Sequence, residues 1–139
     1  MTQTELAEQA HALWSAIRAA AYALSDEQID RPNTIGTWSG RDVMVHIANW
    51  EEAATQAIRD LDAGRPLDPV YADDADLDAW NEVHVAPYRQ IPLAAAKRYF
   101  EQTHTTLLET IRSSPNVYPR VVLCSYLYHL DDLLNLAWR

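Results

Sequence analysis

The sequence predicts an all-α fold, a four-helix bundle with a long, partly helical connection between its second and third helices. Three observations carry this. Apolar residues recur at three-and-four spacing in four separate segments, the signature of buried helical stripes. Glycine occurs only 3 times, whereas Ala and Leu, which lose little entropy in a helix, are frequent. The 139 residues, 48% of them hydrophobic, suit one domain over 1–139 with its own core.

The first helix is expected over 4–24, with Leu6, Ala10, Leu13, Trp14, Ile17, Ala21 and Leu24 on its stripe. Ser25-Asp26-Glu27-Gln28 reads as a capped turn into a loop. The second helix, expected over 40–63, has the clearest start. Ser39 can accept from the orphan amides of the first turn, and Asp42 can reach back, as in a capping box. Val43, Ile47, Trp50, Ala54, Ile58 and Leu61 face inward, and Gly64 reads as a left-handed cap. The stretch 66–92 is a long connection with a short helix at 77–83. Connections of this length in compact domains usually carry function. The third helix is expected over 92–112, with Pro92 at its first position, and the fourth over 119–137. The fourth is apolar on much of its circumference, which predicts cover from the bundle and from a second subunit, a homodimer.

Charge and composition exclude several classes. The formal net charge of −9, from 11 basic and 20 acidic residues, repels phosphate backbones, so no nucleic acid and no anionic membrane are expected as partners. No run of about 18 apolar residues offers a membrane span. The start of the chain lacks a basic region followed by an apolar one, so a cytoplasmic protein is expected. The one cysteine, Cys124, rules out an internal disulfide, suits a reducing compartment, and is expected to be a small buried apolar group.

The segment Thr37-Trp38-Ser39-Gly40-Arg41-Asp42 through His46 to Trp50-Glu51 resembles the W-S-x-x-D-x-x-x-H-x-x-x-W-E signature of the DinB-like superfamily. More narrowly, it is similar to the ClbS/DfsB-type four-helix-bundle proteins. Asp78-Ala79-Trp80-Asn81-Glu82, followed by Tyr88-Arg89, is similar to the Asn-bearing segment of that group. The resemblance covers residues 1 to about 113 in order and spacing. It implies a helical bundle and a small-molecule hydrolase or transferase with a detoxification or stress role. The superfamily often joins the helix-two His to a His-x-x-x-His pair in a divalent-metal triad. Here the fourth helix has His129, with Leu133 where the second His would fall.

Read physically, Asp42 and His46 lie one turn apart on one face, at the edge of the apolar stripe. A histidine there needs a hydrogen-bond partner or a metal. His46, His129 and Asp132 would offer two imidazoles and a carboxylate, a set that suits zinc, nickel or iron. The alternative is a His bonded to a carboxylate or hydroxyl, with the acids solvated. Without a metal, His46 or Glu51 would act as general base on a water. Trp50, Trp80, His84 and Tyr126 are the candidate lining of a small-molecule pocket. His11 and His104 border their helices' stripes and read as structural. The enzyme reading stands beside two others, a non-catalytic small-molecule-binding protein and a dimeric scaffold. Fold analogy does not choose among them.

Overall fold

A computed structural model describes residues 1–124, 126 and 129–136, with 129–132 in backbone only. The helices are α1 (Gln3–Tyr22), α2 (Asp26–Asp30), α3 (Gly40–Asp62), α4 (Leu77–Val85), α5 (Leu93–Ser113), α6 (Pro119–Leu123) and α7 (His129–Leu136), with 3₁₀ turns at Pro69–Tyr71 and Ala86–Gln90. Apart from an isolated bridge between Ile35 and Trp38, no extended pairing occurs among the described residues. None of their helices is long and apolar enough to cross a membrane.

The three long helices sit within two residues of their expected bounds because their caps are written locally. Ser39 accepts from the Asp42 amide, and the Asp42 carboxylate accepts from the Ser39 amide, closing the capping box of α3. Ser25 and Gln28 close a second box, so the expected capped turn extends into the short helix α2. Gly64, at φ +69°, takes the left-handed position after α3. Pro92 is the N-cap of α5 rather than its first residue.

The fourth leg departs from expectation. Instead of one helix over 119–137, the chain forms α6 and α7, with Cys124 at the end of α6. Cys124 is exposed, not buried, and its thiol points to the Val121 carbonyl at 3.7 Å. Cys124 closes a five-residue helix at the edge of the bundle, where the apolar side of the leg passes to Val122 and Tyr126.

One core joins α1, α3, α5 and the α6–α7 leg through Leu6, Ile17, Ile47, Phe100, Leu107 and Leu133, all at most 1% exposed. A smaller cluster of Val45, Val85 and Ala96 seats the connection against α3 and α5. Gly40, the first residue of α3, lets this leg close: a Cβ there would meet Leu136 Cδ1 at 3.0 Å and the Ile29 carbonyl at 3.2 Å.

Replacing Ser39 with Ala should lower the unfolding free energy by about 1 kcal/mol, the usual effect of losing an N-cap acceptor. Urea denaturation would show this as a lower midpoint at unchanged slope.

Candidate functional site

Three faces of α3 carry the polar side chains of interest. The first looks toward the N-terminal loop. His46 is 7% exposed, with the Trp38 ring 5.0 Å away. The Trp38 indole N–H donates to Glu82 of α4 at 3.0 Å. Arg89 donates to Glu82 through both terminal nitrogens and to Asp42 Oδ1 at 3.1 Å. Asp42 therefore caps α3 and anchors the connection at the same time. Arg89 and then the Trp38 indole hold the Glu82 carboxyl down at about 2.

The second face looks into the core. Glu51 is 1% exposed, yet each of its carboxylate oxygens is met. Thr103 Oγ1 donates to Oε1 at 3.2 Å, the Tyr126 hydroxyl donates to Oε2 at 2.8 Å, and His104 Nδ1 lies 2.6 Å from Oε2. Burial pushes the Glu51 carboxyl up, against the opposing pull of His104, Tyr126 and Thr103. The pattern reaches further: His104 Nε2 lies 2.9 Å from His11 Nδ1 on α1. The Trp14 indole stacks on the His104 ring at 4.0 Å and 3°.

The third face opens into a cleft of about 540 Å³ between α3 and α5, with α4 along one side. Its polar lining includes Asn49, Glu52, Thr55, Arg59 and Thr103, and its rings are Trp80, His84 and Tyr99. The Tyr99 hydroxyl lies 2.6 Å from Glu52 Oε2 and 2.8 Å from Asn49 Oδ1, bridging the helices. Burial, reinforced by Glu52, pushes the Tyr99 hydroxyl well above its ordinary value, so it stays protonated. Among the described residues, Asn49 Nδ2 and Thr55 Oγ1 are buried with no hydrogen-bond partner. Thr103 belongs to both settings: it lines the cleft and bonds to Glu51.

The sequence-derived candidates are distributed as follows. Trp80 and His84 line the cleft and stack on each other at 4.0 Å. Trp50 lies outside that lining. It contacts Trp80 at 4.6 Å and donates its indole N–H to Asn81 at 2.8 Å, which pins α4 to α3. Tyr126 is buried and serves Glu51 rather than the cleft. His46 and Glu51 share a helix but face different neighbours. The side chains of His129 and Asp132 lie outside the described residues. Among those residues, no group of three His, Cys, Asp or Glu is placed to hold a metal ion. Sequence reasoning missed His104, Thr103, Tyr99 and Asn49 as site residues. For His104 a signal existed: His11, Glu51 and His104 each set a polar group beside an apolar stripe, and such groups must find one another.

The packing of the long helices, the α3 motif and the Asn81-bearing connection define a DinB-like helical bundle. The chain matches the family described as mycothiol maleylpyruvate isomerase N-terminal domain over residues 10–133, and it belongs to that family. No curated protein and no solved structure matches it significantly.

Glu82 allows a pH test. Its folded value of about 2 lies below its ordinary 4.5, so its contribution to stability is present above pH 4.5 and is lost as pH falls toward 2. Fluorescence of Trp38 in the folded protein should change as pH approaches about 2, where Glu82 takes up its proton, and Glu82→Gln should abolish the change. The other four tryptophans should be replaced by Phe where the fold tolerates it.

Proposed function

We propose that this protein is a small-molecule hydrolase or transferase of the DinB-like kind, with a detoxification or stress role, and that it works on its ligand in the α3–α5 cleft. The single observation that carries the reading is Thr103, which stands in the cleft wall with its hydroxyl on a buried carboxylate. The cleft volume of about 540 Å³ falls in the range of small-molecule sites. Its lining joins aromatic rings to a few convergent polar groups, the usual composition of such sites.

In this reading a water or ligand thiol in the cleft gives its proton to Thr103 Oγ1 as the Thr103 hydrogen moves to Glu51 Oε1. One proton leaves the nucleophile and one arrives at the carboxylate. Thr103 touches the reacting group, and Glu51 acts through it. The family's description names a mycothiol-dependent isomerase, so thiol adducts of small electrophiles belong among the probes. A divalent metal of the zinc, nickel or iron type enters the proposal at His46, with His129 and Asp132 as its other sequence-derived ligands. Metal analysis of untagged protein and of its His46→Ala variant tests that part. A cytoplasmic setting suits an exposed thiol such as that of Cys124.

A second reading, binding without chemistry, is favoured by one fact: donors already satisfy Glu51, as in a purely structural buried carboxylate. The experiment that separates the two offers the protein activated esters, epoxides and thiol–electrophile pairs, with product formation followed by mass spectrometry. Turnover should fall by about 10²-fold in Thr103→Val, the scale of a lost acid–base path, while ligand-induced shifts in melting temperature persist. Probes that shift the melting temperature without turnover would establish the binding reading.

Homodimerisation is also proposed, through the apolar side of the last leg, where Leu134 is 46% exposed. Sedimentation equilibrium at micromolar concentration should return twice the 15.8 kDa chain mass. A monomer mass would remove the dimer from the proposal.

A further inference from the structure

We infer that His11, His104 and Glu51 form a proton relay between the outer face of α1 and the carboxylate beneath the cleft wall, with His104 the positioning residue for Glu51. Its use in chemistry rests on the cleft reading above; the relay itself does not.

With Glu51 ionised, the hydrogen bonds permit one consistent direction. An ionised carboxylate only accepts, so His104 Nδ1, 2.6 Å from Glu51 Oε2, carries a hydrogen. A neutral imidazole has one N–H, which leaves His104 Nε2 as an acceptor. The partner at 2.9 Å, His11 Nδ1, must then be the donor. His11 Nε2 is left as an acceptor near Ser15 Oγ, a long contact at 3.4 Å. His11 itself is exposed, so water reaches the outer end of the chain, whereas Glu51 and His104 are 1% and 3% exposed.

A proton arriving at His11 Nε2 releases the one on Nδ1 to His104 Nε2. His104 in turn releases its Nδ1 proton to Glu51 Oε2. One proton enters from solvent, one is gained by the carboxylate, and both rings end in the Nε2–H tautomer. The reverse sequence unloads Glu51.

The surroundings suit a relay held in register. Trp14, Thr103 and Tyr126 enclose the pair, from α1, α5 and the α6–α7 leg respectively. The parallel stack of Trp14 fixes the plane of the His104 ring, and with it the two hydrogen bonds. Among the described residues, the titratable groups hydrogen-bonded into this pair are His11, from α1, and Tyr126. Burial, then the Glu51 charge, pushes the Tyr126 hydroxyl up, so it remains a fixed donor rather than a competing proton site.

Nitrogen and carbon NMR on the intact labelled protein tests the relay without any ligand. At neutral pH both histidines should be Nδ1–H tautomers, with a low-field proton resonance for the hydrogen between His104 and Glu51. On acidification, the Glu51 carboxyl carbon should shift together with the low-field resonance of the hydrogen it shares with His104, as in a coupled set. In His11→Phe, which keeps a ring at that position but removes the donor to His104, the Glu51 midpoint should move. If that variant does not fold, His11→Ala serves with the same readouts, since it also removes the donor to His104. An Nε2–H tautomer at His104 while Glu51 is ionised, or a Glu51 midpoint unmoved by either variant, would overturn the relay. The NMR signature without turnover on any probe would retire the cleft chemistry and leave the relay standing. Turnover lost in Thr103→Val, with Glu51 titrating independently of His11, would retire the relay alone.

Discussion

Glu51 puts a carboxylate at a position on α3 where the bundle otherwise packs alkyl groups. An ionised carboxylate in such a place costs several kcal/mol unless donors meet it. The elements around α3 are arranged to supply them. Residues Thr103 and His104 present two donors from α5, and Tyr126 presents a third from the last leg. The register of α5 against α3 is thereby set by polar contacts as well as apolar ones, because a slip of one helical turn would strand the carboxylate. α1 contributes through Trp14 and His11, which clamp His104 in plane and extend its hydrogen bonding outward.

A second set of contacts, near the start of α3, holds the connection in place. Arg41 donates to both oxygens of Asp30 and to the Tyr88 and Ile91 carbonyls. Arg89 joins Glu82 to Asp42. Trp50 binds Asn81. Pinned at these points, α4 runs beside α3 and leaves open the cleft that Tyr99 bridges from α5. The W-S-x-x-D-x-x-x-H motif and the Asn-bearing segment thus have a shared structural role. The first caps α3 and receives Arg89, and the second is what the Trp50 indole grips.

Among the described residues, the core carboxylate and the cleft meet at Thr103. The cleft is wide enough for a small molecule, and the core carboxylate has a raised affinity for a proton because of its burial. A hydroxyl between them couples solvent-accessible space to a group that solvent does not touch. The same arrangement explains why Glu51, named from the motif alone, is not itself a wall of the cleft.

By itself, the sequence determined the helical class, the bounds of the three long helices, the capping box at Ser39 and the Gly64 terminus. These depend on apolar periodicity and on interactions within four residues along the chain, which are written locally. It also identified His46, Glu51, Trp80 and His84 as residues to watch. Only the tertiary structure decided that the last leg divides into α6 and α7, that Cys124 is exposed, and that His104 and His11 belong with Glu51. Those outcomes turn on which helix faces which and at what height, and pairings across 53 and 93 residues leave no spacing in the chain to read. The roles of Tyr126 and Thr103 are of the same kind. A tyrosine or threonine on an amphipathic helix is ordinary until the opposite helix brings a buried carboxylate to its hydroxyl, because the cost of an unmet charge exists only once water has been excluded.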